Sequence, residues 1–373
     1  CNGTNGIAAP ICSCTASAPC SCETIPFCNR FCPDGGTMTS SLDVPLCKTS
    51  STCGGKHLVF DDGPAAVWTD ATGGAQQRAY CLYSPPTASA ASQRPLVVFL
   101  HGSGGSADDV YDATSLRAKA PTFDLVGGGT RTGFFLASDQ GRNVANPNGD
   151  LGAAPRHDIY FRDLASPSKN PDVRAIDHLI DSIASGGAVD PARIYLVGWS
   201  NGAFFAALYA LARYSTPTPG GFEVAGATVF AGGDPFDDAR DGDDGACSYR
   251  PYPQAPAAIY VIHRGCDSAV ACDASQNQQF SNPPGYDVAD WVTTLTGSVG
   301  ATVQDVILSS AGAQVAQCDD NFSLCTSAVG LLNHISWPDG LATEDAKAKN
   351  DWEGAAVGGT PGMLGFLGAH PHP

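Results

Sequence analysis

Charged residues are scarce in this chain: only 15% of its 373 residues are Asp, Glu, Lys or Arg, and 20 basic residues face 37 acidic ones. The net charge of −17 argues against a nucleic-acid partner, which needs a basic face, and fits a soluble protein kept apart by its own repulsion. No run of 18 or more apolar residues is present, so no segment reads as a membrane-spanning helix, and no secretory leader is visible. Internal repeats are not evident either. With few charges but 43 glycines and 27 prolines, long ordered loops are expected rather than long solvated helices, a surface that suits a secreted protein. The length allows one large α/β domain with an appendage, or two domains, and the first is the favoured reading.

Cysteine, by contrast, is plentiful: there are fifteen, nine of them within the first 53 residues. Thiols at that density are a liability in a reducing cytosol, whereas in an oxidising space each bridge stabilises by about 2 to 5 kcal/mol. A zinc site is the competing reading, but Cys12, Cys14, Cys20 and Cys22 form CxC spacings, not CxxC pairs, and no histidine lies near them. Because the count is odd, at least one cysteine is left over; Cys1 is the natural candidate, with lipidation of that thiol as one reading of it, and the other fourteen could then close seven bridges. The expected location is therefore extracellular, with a lipid anchor at a bacterial cell surface as one form of it. Residues 1–56 show no helical or strand periodicity and almost no large apolar residues, so they read as a cysteine-rich extension that disulfides must hold. Asn2 and Asn321 are glycosylation sequons if the source is eukaryotic.

Residues 57–373 read as the main domain. Its opening, HLVF (57–60) and QRAYCLYSPP (77–86), is an early antiparallel strand ending in a proline turn. Leu96 to Leu100 is a continuous apolar run, the pattern of a strand buried on both faces of a parallel sheet. Further strands are expected at 133–141, from Ile194 to Val197, from Phe222 to Phe230, from Ala258 to Ile262 and from Val303 to Leu308. Helices are expected at 172–185, with Val173, Ile176, Leu179, Ile180 and Ile183 on one face, after residue 200, and from Val288 to Leu295. Such alternation calls for a doubly wound, mostly parallel α/β sheet with its site at the carboxyl ends of the strands.

The stretch RIYLVGWSNGAFFAALYALARY (193–214) reads as strand, sharp turn, helix, with Gly198, Trp199, Ser200, Asn201 and Gly202 forming Gly-x-Ser-x-Gly. A nucleophile elbow holds its serine in a strained turn that lifts the hydroxyl clear of the sheet, and it needs small neighbours where helix packs on strand. Gly198, Gly202 and Ala203 meet that need. An acid and then a histidine should follow in that order. Asp267 lies just past the strand in AAIYVIHRGCDSAV, and His334 lies in a loop within LLNHISWPDG; Asp273 is the alternative acid. His57, His101, His157 and His178 precede the serine, His263 precedes the acid, and His370 and His372 sit in the Pro-broken tail AHPHP, where fraying is expected. After the strand ending at Leu100, Gly102, Gly104 and Gly105 leave backbone bare, so the N–H groups of Ser103 and Asn201 are the expected oxyanion donors.

The segments HGSGG, GWSNG, HRGCDSAV and NHISWP resemble the esterase family that groups bacterial polyhydroxybutyrate depolymerases with feruloyl and acetyl xylan esterases, all α/β-hydrolases. RAYCLYSPP resembles that family's opening strand and MLGFLGAHP its closing helix, so the resemblance spans about residues 75 to 371 and leaves out the cysteine-rich extension. It implies Ser200 as nucleophile, Asp267 as orienting acid and His334 as base, acting on an ester that is polymeric or polymer-derived. Gly102, Trp199, Arg264 and Trp337 are the implied substrate-binding residues. Arg264, Asn333 and Ala203 each stand where a glycine is usual, departures that bear on substrate identity more than on reaction type. Cys266 and Cys272 bracket the acid and would pin its loop by a disulfide. A monomer needing no organic cofactor is expected. The acidic stretch 232–248 offers Asp241 and Asp243 as calcium ligands, although the EF-hand spacing is missing and a solvated loop is the simpler reading. A binding protein without catalysis on the same scaffold is the competing function; the complete Ser200, Asp267 and His334 set argues against it.

Overall fold

A computed structural model describes side chains over 80–141 apart from 112, at 155–157, over 172–235, 255–267, 288–309, 330–340 and 350–373, and at 159, 167, 170, 269, 270 and 272. Elsewhere backbone alone is described, in short strands and at helix ends. Cys1, Asn2, Asn321, Asp241, Asp243 and Asp273 lie outside the described residues.

Nine strands build the central sheet: β1 (Val59–Phe60), β2 (Ala79–Tyr83), β3 (Arg94–Leu100), β4 (Phe135–Asp139), β5 (Val189–Trp199), β6 (Gly226–Phe230), β7 (Ala258–Arg264), β8 (Thr302–Leu308) and β9 (Gln314–Val315). Their spatial order is β9-β8-β7-β6-β5-β3-β4-β2-β1. From β4 through β3 to β8 every pairing is parallel, while β2 runs antiparallel to both β4 and β1, and β9 antiparallel to β8. The crossing of β3 and β4 after an antiparallel β2 gives the sheet the layout of an α/β-hydrolase.

The continuous apolar runs become strands buried on both faces, because helices cover each side. Along β3, Leu96, Val98 and Leu100 enter one core cluster, and Val97 and Phe99 the other. The first core is closed by α3 (Pro171–Ala184) and α4 (Asn201–Arg213), every residue of which is buried. Helix α3 starts where Asn170 caps the N–H groups of Asp172 and Val173 and Pro171 takes the first helical position. Its Asp177 accepts from Tyr209 (2.7 Å) and from Arg213 Nε (2.8 Å) of α4, a buried tie that fixes the two helices against each other. Helix α5 (Val288–Thr294) completes this side with Trp291 buried, and α7 (Met363–Ala369) covers the opposite face beside the turns α1 (Asp109–Asp112) and α2 (Leu116–Lys119).

Three expectations are corrected. The N-terminal segment, read as lacking strand structure, contains an antiparallel hairpin of Ala8–Thr15 with Ala18–Pro26, in which Cys12 stands opposite Cys22. Backbone pairing needs no apolar face, so Cys and Ser residues form a ribbon that hydropathy does not reveal. His334 lies in the last turn of α6 (Ser327–Ile335), not in a loop. The AHPHP tail is docked, not frayed: the His372 N–H donates to the Ala192 carbonyl (2.7 Å), its ring stands 4.6 Å from Tyr214, and His370 Nδ1 bonds the Phe366 carbonyl (2.8 Å).

Candidate active site

The turn between β5 and α4 is as tight as its glycines require. A Cβ on Gly198 would stand 2.3 Å from the Gly202 carbonyl oxygen, and one on Gly202 only 2.1 Å from that of Leu100 in β3. Gly202→Ala is therefore expected to lower stability by about 1 to 3 kcal/mol, since backbone must shift, and urea denaturation measures the change. Ser200 at the apex has φ 53° and ψ −119°, a left-handed conformation costing a non-glycine residue about 1 to 3 kcal/mol. The neighbouring strand holds it there, through the Ser200 N–H on the Phe230 carbonyl at 2.9 Å.

Two distant side chains meet this serine. Ser200 Oγ lies 2.7 Å from His334 Nε2, and His334 Nδ1 lies 2.9 and 3.0 Å from the two oxygens of Asp267. A carboxylate only accepts, so Nδ1 carries the ring proton and Nε2 is left to accept from the serine hydroxyl. Asp267 is fully buried, and its Oδ1 also accepts the N–H groups of Ala269 (2.7 Å) and Val270 (3.0 Å). Burial works to lower the His334 pKa, but the charge of Asp267 and its hydrogen bond outweigh that and hold the imidazole above its ordinary 6.5. Cys266, next to the acid, and Cys272 each take part in a disulfide, as does Cys81.

The glycine loop after β3 lies against the nucleophile: a Cβ on Gly102 would stand 3.3 Å from that of Ser200. The Gly141 N–H donates to His101 Nε2 (2.9 Å), so Nδ1–H is the nitrogen that donates to the Gly102 carbonyl (2.7 Å). Gly102 O also accepts from the Gly105 N–H (3.0 Å). In a planar trans peptide the carbonyl of Gly102 and the N–H of Ser103 point opposite ways, so these bonds also fix the direction of that N–H. Asn201 opens α4, where a first-turn amide has no intrahelical acceptor. Among the described residues, neither the Ser103 nor the Asn201 N–H donates to an acceptor within the protein.

The residues read as substrate-facing divide. Gly102 and Trp199 remain half-exposed at the site. Arg264 and Trp337 are 2% and 3% exposed, placed in the interior by what they hold. The Arg264 guanidinium donates to the carbonyls of Ser336 (3.2 Å) and Ser309 (3.3 Å), anchoring the chain just beyond His334. Trp337 packs against Phe99, Trp199 and Phe230 at 5.4 to 5.9 Å between ring centres, in an aromatic cluster that buries it. Three supports were not legible in advance: Trp199 Nε1–H on the His334 carbonyl (3.0 Å), Asn333 Nδ2 on the Cys266 carbonyl (2.7 Å), and the Asn201 side chain on His157. Their polar residue types beside the GWSNG and NHISWP stretches were the only available signal. No group of three metal-ligating side chains occurs among the described residues.

No family model matches the sequence. Over 130 residues the chain is 29% identical to a putative esterase, NocK, of Nocardia uniformis subsp. tsuyamanensis, and the match covers 35% of this chain and about a third (32%) of that relative's length. A phospholipase/carboxylesterase from Dyadobacter fermentans matches in structure at a TM-score of 0.37 and 17% identity, covering 71% of this chain and 99% of that one. An acetyl xylan esterase from Aspergillus awamori matches at a TM-score of 0.36 and 13% identity, over 52% of this chain and 69% of its own.

Proposed function

We propose that this chain is a secreted serine hydrolase of carboxylic esters that works through an acyl-enzyme. The observation that carries the reading is the unbroken hydrogen-bonded series from Ser200 through His334 to Asp267, with the serine at a strained apex beside a glycine loop. In this reading His334 Nε2 takes the Ser200 proton as Oγ attacks the ester carbonyl. The oxyanion is met by the N–H groups of Ser103 and Asn201, each contributing about 3 to 4 kcal/mol to the transition state. The imidazolium returns its proton to the leaving alcohol, and a water activated the same way releases the acid. Asp267 keeps the ring in the required tautomer and balances its transient charge.

The family that HGSGG, GWSNG and NHISWP resemble includes feruloyl and acetyl xylan esterases, and esters of plant cell-wall polysaccharide are the first substrate class in this reading. A second reading, a polyester depolymerase, is favoured by the face of α6 next to His334, where Leu331, Leu332 and Ile335 are 52%, 42% and 47% exposed. Apolar side chains at that exposure suit a substrate that is itself an apolar surface. An oxidising location is supported by the disulfides at Cys81, Cys266 and Cys272. Hydrolysis of methyl ferulate, acetylated xylan and polyhydroxybutyrate film, measured side by side, tests the assignment. Release of acid from at least one is expected. No turnover of any of them, nor of a simple aryl acetate, would overturn the esterase reading.

A further inference from the structure

Asn201 enters the proposed mechanism only through its backbone, yet its side chain is the more unusual part. The residue is 6% exposed; its Oδ1 accepts the His157 N–H at 2.8 Å and its Nδ2 donates to the His157 carbonyl at 3.1 Å. One amide thus takes both polar groups of another residue's main chain, as a neighbouring strand would. His157 follows the strand Ala153–Arg156, and two residues back the Pro155 carbonyl accepts the Gly104 N–H at 2.9 Å. The His157 ring is in contact with those of His101 (5.1 Å) and Phe205 (5.3 Å), which hinders sliding of this segment. A continuous path therefore runs from the Asn201 side chain through residues 157 to 155 into the loop that carries Ser103. The two proposed oxyanion donors sit on separate turns, one after β5 and one after β3, and this path adds a side-chain tie to the direct packing of Gly202 on Leu100 and of Gly102 on Ser200.

We propose that Asn201 is a positioning residue whose side-chain amide, by clamping the His157 main chain, sets the spacing between the Ser103 and Asn201 N–H donors. This rests on the reading of Ser200 as nucleophile. Donors count most when preplaced about 2.7 to 3.1 Å from the developing charge, and a displacement of about 1 Å can cost about 100-fold. Such a loss falls on the transition state alone, so kcat drops while KM hardly moves.

The test compares the full-length protein with Asn201→Ala, and with Asn201→Ser as a second variant, on p-nitrophenyl acetate. We expect kcat about 10- to 100-fold lower and KM within about three-fold. The Ki of a simple alkyl boronic acid, whose adduct on Ser200 mimics the tetrahedral oxyanion, should rise by the same factor as kcat falls. The acid limb of the pH profile, which reports His334, should stay in place. A folded variant whose kcat is within about two-fold of the parent, or whose boronate affinity is unchanged while kcat falls, would overturn the proposal. So would failure of both variants to fold, which would assign the clamp to folding. Fluorophosphonate labelling of Ser200 in the parent keeps the two readings apart: an unlabelled parent removes the nucleophile assignment itself, whichever way the Asn201 comparison falls.

Discussion

Ser200→Ala is expected to lower kcat by about 10⁶, to the level that binding and the oxyanion donors sustain alone. The hydroxyl is the only atom lost, and it donates to His334 Nε2 at 2.7 Å, so the variant keeps the packing of its parent. Alanine at φ 53° is no more relaxed than serine, because the elbow conformation is imposed by the glycines at 198 and 202 and by the bond to Phe230. Stability should accordingly change little while turnover collapses. Single-turnover kinetics with urea denaturation measure both. A variant retaining a tenth of the parental rate would contradict the assignment.

Asp267→Asn should cost about 10⁴ in kcat, since an amide favours the ring tautomer that cannot accept from the serine. It should also move the pH profile. In the parent, His334 must be neutral to act as base, so kcat/KM rises with pH through a midpoint above 6.5. Removing the carboxylate leaves burial alone, which lowers the imidazole pKa, and the acid limb should shift towards lower pH. The stability sign follows from the same shift. A histidine raised on folding contributes stability that is full below 6.5 and is lost as pH rises through its folded value, so Asp267→Asn should flatten that decline.

Much of the sheet could be read from sequence because its strands are apolar on both faces: Leu96 to Leu100 and Ala258 to Ile262 sit inside observed strands. The elbow could be read because three small residues in a row of large apolar ones have a steric cause, visible in the 2.1 and 2.3 Å clearances at Gly202 and Gly198. Helix α6 was missed: the apolar residues Leu331, Leu332 and Ile335 of its SAVGLLNHI run are exposed, so its apolar face does not pack into the core. Arg264 and Trp337 are substrate-binding residues only as the family resemblance implies them. Here the carbonyls of Ser309 and Ser336 and the aromatic cluster of Phe99, Trp199 and Phe230 claim them first. Contacts between side chain and distant backbone, such as Asn201 with His157 across 44 residues, leave no periodic trace.

The reactivity of one hydroxyl decides whether this protein is a serine hydrolase. Treating the protein with a fluorophosphonate and mapping the adduct by peptide mass spectrometry should place a single modification on Ser200, absent from Ser200→Ala and slowed in Asp267→Asn. An adduct on another residue, or none at all in a folded protein, would contradict it.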